Sequence, residues 1–240
     1  MTDLAGRTVW IIGASEGLGR ALAQALDVRG ARLVLSARNQ DRLAELSATL
    51  RDASPVAIDV RDADSVREAV RAVGRFDRLV YCAGVYEPMK ATAWQAEAAV
   101  AMGDVNFLGA LRVLGETIPA MVAEGRGDIT LIGSLSGYRG LPAAIGYGAS
   151  KAALVSLAET MRHDLKGSGV TIRLVNPGFI RTRLTDKNSF AMPMLMEPEA
   201  AAEKVVRAMM RRRFRTDFPA PFSWAIRAYA LLPDWIALRG

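Results

Sequence analysis

Short apolar runs alternate along this chain with alanine- and leucine-rich stretches of helical period, from its beginning almost to its end. The runs at 8–12, 32–37, 56–59, 78–82, 128–133 and 171–176 read as strands, and a further short one ends at Phe218. Near-continuous apolar strands are buried on both faces, and the long helical stretches between them are crossovers rather than hairpin turns. The pattern predicts an α/β fold: a doubly wound parallel sheet of about seven strands, with helices on both faces. One domain is expected over 1–218, followed by an apolar and basic extension at 219–240; no repeat or low-complexity linker divides the chain. Right-handed crossovers then gather ligand-binding residues at the carboxyl ends of the strands, near the point where the strand order reverses.

The residues at those strand ends carry the chemistry. The first strand runs into Gly13, Ala14, Ser15, Glu16, Gly17, Leu18 and Gly19, and an amphipathic segment from Arg20 to Arg29 follows. A strand, a glycine-rich turn and a helix together form a phosphate cradle. Glycine lets the backbone approach the anion, and the free N–H groups of the new helix favour negative charge. The spacing is G-x-x-x-G-x-G rather than the G-x-G-x-x-G of many dinucleotide sites, and taken alone it also suits an ordinary strand-to-helix turn.

Ser134, Tyr147 and Lys151 form the second constellation. Tyr147 and Lys151 are four apart, so a helix presents them on one face one turn apart. A cation beside a tyrosine favours loss of its proton, and a serine hydroxyl nearby holds a carbonyl oxygen. Ser136 is a near alternative to Ser134, and the spacing to Tyr147 favours Ser134. Tyr138 has no lysine four residues on.

Composition removes several other classes. A single cysteine, Cys82, excludes an internal disulfide and fits a reducing compartment. With that one cysteine and one histidine, His163, no metal site is expected. There is no basic-then-apolar leader and no uninterrupted apolar run of roughly 18 residues, so a cytoplasmic protein is expected. The eight basic and two acidic side chains from Lys204 onward account for the whole net charge of +6. A basic tail on a neutral body makes nucleic acid a poor partner.

With these residues in place the chain resembles the short-chain dehydrogenase/reductase family over roughly 5–213. The ordered motifs are the glycine turn, Asp59 with Val60, Ala83 with Gly84, Asn106, Ser134, Tyr147 with Lys151, and Asn176, Pro177 and Gly178 with Thr182. The resemblance implies a Rossmann-like sheet and a Tyr-x-x-x-Lys oxidoreductase. It assigns Tyr147 as general acid/base, Lys151 as its electrostatic partner and holder of the nicotinamide ribose, and Ser134 as the group that polarises the substrate oxygen. Asn106 matches the asparagine that holds a water in the proton relay. The cofactor set it implies is Gly13, Ser15, Glu16, Gly17, Leu18, Gly19, Arg38, Asp59, Val60, Ala83, Gly84, Tyr147, Lys151, Pro177, Gly178, Ile180 and Thr182. Asp59 and the following N–H are expected at the adenine, and Ile180 and Thr182 near the carboxamide. Two positions depart from the family pattern. Ile12 replaces a threonine, and Tyr81 and Cys82 replace two asparagines whose side chains normally brace neighbouring strands; altered packing is expected there, not lost chemistry.

The second strand is followed by Arg38 and Asn39, with no carboxylate before Asp41. In this family an arginine there suggests NADP(H) over NAD(H), because a guanidinium fork suits a 2′-phosphate; the other reading is that Arg38 stacks on adenine and discriminates little. The segment 183–197 corresponds to the family's mobile substrate lid, and Met192, Met194 and Met196 give it a flexible apolar surface. That surface suits a hydrophobic carbonyl or alcohol substrate, or equally core or subunit packing. Arg181 and Arg183 suit phosphates, an acidic substrate or solvent. In the extension, an apolar, tryptophan-bearing helix near Arg211, Arg212 and Arg213 suits a lipid surface through 211–240; it equally suits the substrate cleft or another subunit. A homo-dimer or homo-tetramer is implied by the family. A nucleotide-binding sensor or scaffold without turnover is the competing class, and an intact Asn, Ser, Tyr and Lys set argues against it.

Overall fold

The computed structural model describes residues 4–188 and 190–238. Residues 1–3 of the expected domain, Ser189 of the lid segment, and Arg239 and Gly240 of the extension lie outside the described residues.

Seven strands form one parallel sheet: β1 (Thr8–Ile12), β2 (Arg32–Ala37), β3 (Ala53–Ala57), β4 (Arg78–Tyr81), β5 (Gly127–Ile132), β6 (Val170–Pro177) and β7 (Arg215–Phe218). Their order is β3-β2-β1-β4-β5-β6-β7. The order reverses between β1 and β4, which pair from Val9 opposite Arg78 to Ile12 opposite Tyr81. β1 is sealed on both faces, with Val9 through Ile12 fully buried. Two apolar layers sandwich the sheet. On one face lie α1 (Gly17–Asp27), α2 (Gln40–Ser47) and α7 (Pro198–Met209), with Leu22, Leu26, Leu43 and Val205 buried against the strands. On the other lie α3 (Ala63–Val73), α5 (Gly109–Ala123) and α6 (Ile145–Asp164), with Val66, Val113 and Leu154 inward. Each such aliphatic side chain stabilises the fold by about 1.5–3 kcal/mol relative to exposure.

Local chemistry sets the element ends. Asn39 caps α2 by accepting from the N–H of Arg42, Asp62 caps α3 by accepting from the N–H of Asp64, and Pro198 opens α7. The amino-terminal edge of the sheet is tied to α7 by two buried arginines. Arg78 donates to the carbonyl of Met209 and Arg173 to that of Arg211, and both pair with Asp128.

The third strand is displaced from its expected place. It occupies Ala53–Ala57, not 56–59, because it is an edge strand whose register against β2 sets Ala53 opposite Leu33. Its residues are mostly exposed and include Pro55, which an edge strand tolerates. Ile58, which reads as strand in the sequence, is buried beyond the strand end in the opposite core.

Two expectations about apolar segments also change. The chain from Ala96 to Ala123 is continuous helix: α4 (Ala96–Gly103), a π-helical turn (Asp104–Leu108) and α5. By length and composition this 28-residue helix could cross a membrane, although its most apolar 18-residue stretch is already 39% buried. In the extension, α8 (Phe222–Ala230) and α9 (Asp234–Ala237) follow β7, whereas Arg211, Arg212 and Arg213 precede it. The basic run and the apolar helix therefore lie at opposite ends of a strand, not side by side. Among the described residues, the charges that accompany α8 and α9 are paired: Arg227 with Asp217, and Asp234 with Arg139. Arg139 also donates to the carbonyls of Ala230 and Leu232. Trp224, Leu231, Trp235 and Leu238 remain exposed.

Candidate active site

A cleft of about 1280 Å³ opens at the carboxyl ends of the strands where their order reverses. One wall is the turn after β1. Gly13 has φ of 92°, and a Cβ there would stand 2.5 Å from the backbone nitrogen of Ala83. A Cβ on Gly19 would stand 2.0 Å from the carbonyl oxygen of Gly13. The turn, α1 and the segment after β4 thus meet backbone to backbone, which no other residue type permits. Gly13, Ser15, Glu16, Gly17, Leu18 and Gly19 all line the cleft. Arg38, Asp59 and Val60 line its outer end; Ala83, Gly84, Pro177, Gly178, Ile180 and Thr182 line its inner part with Tyr147 and Lys151.

At the outer end Arg38 is exposed and, among the described residues, makes no hydrogen bond or ion pair. Glu16 does not stand as a free carboxylate. One oxygen accepts from Arg42 of α2 and from Arg183 of the lid segment, each at 2.6 Å. Asp59, expected to face adenine, is held by Arg61 in a two-pronged pair, with bonds of 3.0 and 2.6 Å. That hydrogen-bonded guanidinium holds its carboxyl below the usual carboxylate range. Arg181 pairs with Glu197.

At the inner end α6 carries Tyr147 and Lys151 one turn apart, with Nζ of Lys151 5.6 Å from the centre of the Tyr147 ring. Lys151 is 4% exposed and donates to the carbonyl of Ile132 at 2.9 Å. Burial pulls its ammonium down to about 8. Burial also pushes the Tyr147 hydroxyl up to about 12, while the adjoining Ser134 hydroxyl draws it down. Desolvation outweighs the Ser134 hydrogen bond and favours the protonated hydroxyl in the unliganded protein. Ser134 caps a short 3₁₀ turn, and Ser136 stands behind it, donating to its oxygen from the N–H at 3.2 Å and the hydroxyl at 2.9 Å. Tyr138 is engaged elsewhere: its hydroxyl donates to Asp217 at 2.7 Å and accepts from Asn176 at 3.1 Å.

Asn106 sits fully buried in the π-helical turn, a helix defect frequent at functional sites. Its Oδ1 accepts from the N–H of Val85 at 2.7 Å, and its Nδ2 donates to the Val85 carbonyl and the Ser150 hydroxyl, both at 3.0 Å. Asn106 and Ser134 stand just behind the residues that line the cleft. The bracing lost with the two departures is rebuilt differently. Ile12 is core, and the Tyr81 hydroxyl donates to the Val105 carbonyl at 2.6 Å, joining β4 to the same π-helical turn.

Sequence reasoning missed Arg42, Arg61 and Tyr86. Arg42 had a signal, since it falls in the first turn of the helix capped by Asn39, directly after Arg38. Arg61 had a weaker one, two residues after Asp59. Tyr86 had none: its ring meets that of Tyr147 edge-on, with centres 5.0 Å apart, across a loop.

The chain matches the short chain dehydrogenase family profile over residues 7–192. It is 37% identical over 246 residues to an uncharacterized oxidoreductase of Myxococcus xanthus, covering 98% of this chain and 96% of that protein. A 3-oxoacyl-(acyl-carrier-protein) reductase of Rickettsia conorii is 30% identical over 188 residues, 78% of each protein. Among solved structures, a short chain dehydrogenase from Burkholderia cenocepacia in complex with NADP superposes with a TM-score of 0.84 at 26% identity, over 97% of this chain and 100% of that one. A short-chain dehydrogenase from Sphingobium yanoikuyae in complex with NADPH gives 0.84 at 28%, over 92% and 91%. Fold, motif order and similarity agree: this chain belongs to the short-chain dehydrogenase family and is an NAD(P)-dependent oxidoreductase.

Proposed function

We propose that the protein interconverts a carbonyl and a secondary alcohol on an apolar substrate, with NADP(H) preferred over NAD(H). The observation that carries this reading is the pairing of a protonated Tyr147 with buried Lys151 in a cleft whose other end offers an unpaired arginine, Arg38. The residues present fit a dinucleotide. Backbone at Gly13 and Gly19 forms a cradle that a Cβ would fill, Arg38 is free to meet a 2′-phosphate, and the Lys151 ammonium has no carboxylate partner among the described residues. NADP(H), when bound, supplies the hydride.

The side chains do the rest. Tyr147 gives its proton to the substrate oxygen in reduction and takes it back in oxidation. Ser134 donates a hydrogen bond to the same oxygen as charge develops there. Lys151 holds the nicotinamide ribose and keeps positive charge beside Tyr147. Asn106 fixes the cleft wall at Val85 and so serves the proton relay through position. Gly17, Ser15 and Leu18 meet the pyrophosphate; Asp59 and Val60 meet the adenine; Ala83, Gly84, Pro177, Gly178, Ile180 and Thr182 enclose the nicotinamide side. A panel of apolar ketones and alcohols with each cofactor, followed at 340 nm, tests the reading. Higher kcat/KM with NADPH supports it, and tight NADPH binding without any turnover favours a sensor.

An oligomer is part of the proposal, and so is a cytoplasmic setting. Leu108, Leu111 and Val122 are exposed, and an apolar groove of about 350 Å³ lies between α5 and α6, lined by Leu114, Ile118 and Leu157. A second copy covering this face predicts a dimer or tetramer in light scattering. The second reading, contact of the 219–240 extension with a lipid surface, is favoured by the exposed Trp224, Leu231, Trp235 and Leu238. Among the described residues, none of the extension lines the cleft. Vesicle flotation of the full chain against one ending at Phe218 decides it, and equal binding removes the reading.

A further inference from the structure

Tyr86 stands between the catalytic tyrosine and the lid segment. It follows Val85, whose N–H and carbonyl are both held by the Asn106 side chain. Its backbone therefore has a fixed base on the wall of the cleft. From there its ring packs edge-on against Tyr147, at 5.0 Å between centres and 71° between planes. Its hydroxyl reaches across the cleft and donates to Oδ1 of Asn188 at 2.8 Å. Asn188 in turn donates to the sulfur of Met192 at 3.3 Å, so the apolar lid residue is held through the same amide. The neighbouring Lys187 donates to the Tyr86 carbonyl at 3.1 Å and pairs with Glu87. The lid segment is thus fastened to this wall by side chains around Tyr86, and to the cofactor end through Arg183 with Glu16, Thr185 with the Ile180 and Thr182 carbonyls, and Met196 with the backbone of Phe179 and Arg181.

We propose that Tyr86 is a positioning residue that couples the two: its ring braces Tyr147 and its hydroxyl latches the lid through Asn188, so that closing the lid and aligning the proton donor are one event. Opening the latch frees the lid and Met192. Removing the ring opens the half-buried Tyr147 further to water; among the described residues its side chain is flanked by Ser134 from the segment after β5, Cys82 and Tyr86 from the segment after β4, and Lys151 from its own helix.

The proposal rests on Tyr147 as proton donor, and its test has one readout independent of turnover. Limited trypsin digestion of the full chain is followed at Lys187 in wild type, Tyr86→Phe, Asn188→Ala and the double variant. The latch predicts roughly two- to tenfold faster cleavage in each single variant, the scale of one hydrogen bond, and no further gain in the double. Unchanged cleavage, or additive gains, overturns it. The second readout uses NADPH-dependent reduction of ethyl benzoylacetate and oxidation of the corresponding hydroxy ester. Tyr86→Phe, which opens the latch and keeps the ring, raises KM and lowers kcat, each about two- to tenfold. Tyr86→Ala lowers kcat roughly 100-fold, the cost of a misplaced reacting group. It also moves the rise of oxidation rate to lower pH, because a better-solvated Tyr147 ionises more readily. A purely structural Tyr86 would lower thermal stability and leave that pH profile in place, which overturns the proposal. If cleavage behaves as predicted while wild type turns over neither probe, the latch stands and the catalytic reading of this site falls.

Discussion

The two ends of the cleft are built in opposite ways. At the cofactor end backbone meets backbone: the Gly13 and Gly19 positions leave less than 3 Å for a Cβ, and the wall is fixed by the sheet register itself. At the substrate end the wall is a lid segment pinned at its far end by backbone bonds between Met196 and both Arg181 and Phe179, and held over the rest of its length by side chains, through Tyr86 with Asn188, Lys187 with Glu87 and Arg183 with Glu16. Backbone packing admits almost no alternatives, so it writes itself into the sequence as glycines at fixed spacing. Side-chain fastenings are open to many substitutions, so they leave little trace and can be retuned to new substrates without touching the fold.

Breaking the rigid end should cost most. Gly13→Ala places a methyl against Ala83 in a left-handed backbone conformation, and we expect a loss of roughly 2–6 kcal/mol, from backbone strain plus overpacking, in urea unfolding. An unchanged midpoint would contradict the packing argument. Arg38→Asp comes next: Arg38 has no hydrogen bond or ion pair among the described residues and only a long-range attraction to Asp59, so the change should act mainly on the cofactor. The NADPH-to-NADH ratio of kcat/KM should fall roughly 10- to 100-fold, the scale of a charged hydrogen bond, and an unchanged ratio would assign Arg38 to stacking.

Lys151 gives a pH signature. Its folded value of about 8 lies below the 10.5 of a free lysine, so between those values the unfolded chain holds a proton that the folded chain lacks. Stability of the unliganded protein should therefore rise with pH from about 8, be partly offset above 9, where the raised Cys82 thiol acts with the opposite sign, and be offset further above 10 by the raised Tyr147. Urea midpoints at pH 7.5 and 9.5 check this, and Lys151→Met should flatten the rise. Carbonyl reduction should meanwhile decline as Lys151 loses its charge near pH 8. The smallest effect belongs to the flexible end: Glu16→Gln releases two exposed arginines whose pairs are worth about 0–1 kcal/mol each. NADPH affinity should change by less than roughly tenfold, and a larger change would show that the lid is not loosely held.

The contrast also explains what could be read in advance. β1, β2 and β4 are legible because buried strands are apolar throughout; β3 is displaced because an exposed edge strand with Pro55 has no such pattern. The turn glycines, Tyr147 and Lys151 are local in sequence and therefore legible. The Glu16 bridge spans Arg42 and Arg183, and the Tyr86 latch joins residues 102 apart, so only the fold brings these partners together. The strand that separates the Arg211 run from α8 was legible as the short run ending at Phe218, and the structure shows that it carries the two to opposite ends. Tyr147 was legible as a residue, but its surroundings were not: burial raises its hydroxyl and the Ser134 hydroxyl draws it down, and both come from the assembled cleft.

The most direct test of the account compares wild type with Tyr147→Phe, measuring NADPH affinity by fluorescence and ketone reduction at 340 nm on the same samples. The account predicts an unchanged Kd for NADPH and a loss of turnover of roughly 10²- to 10⁴-fold, the usual scale for a positioned acid. Turnover that survives the loss of the hydroxyl, with NADPH still bound, would contradict it.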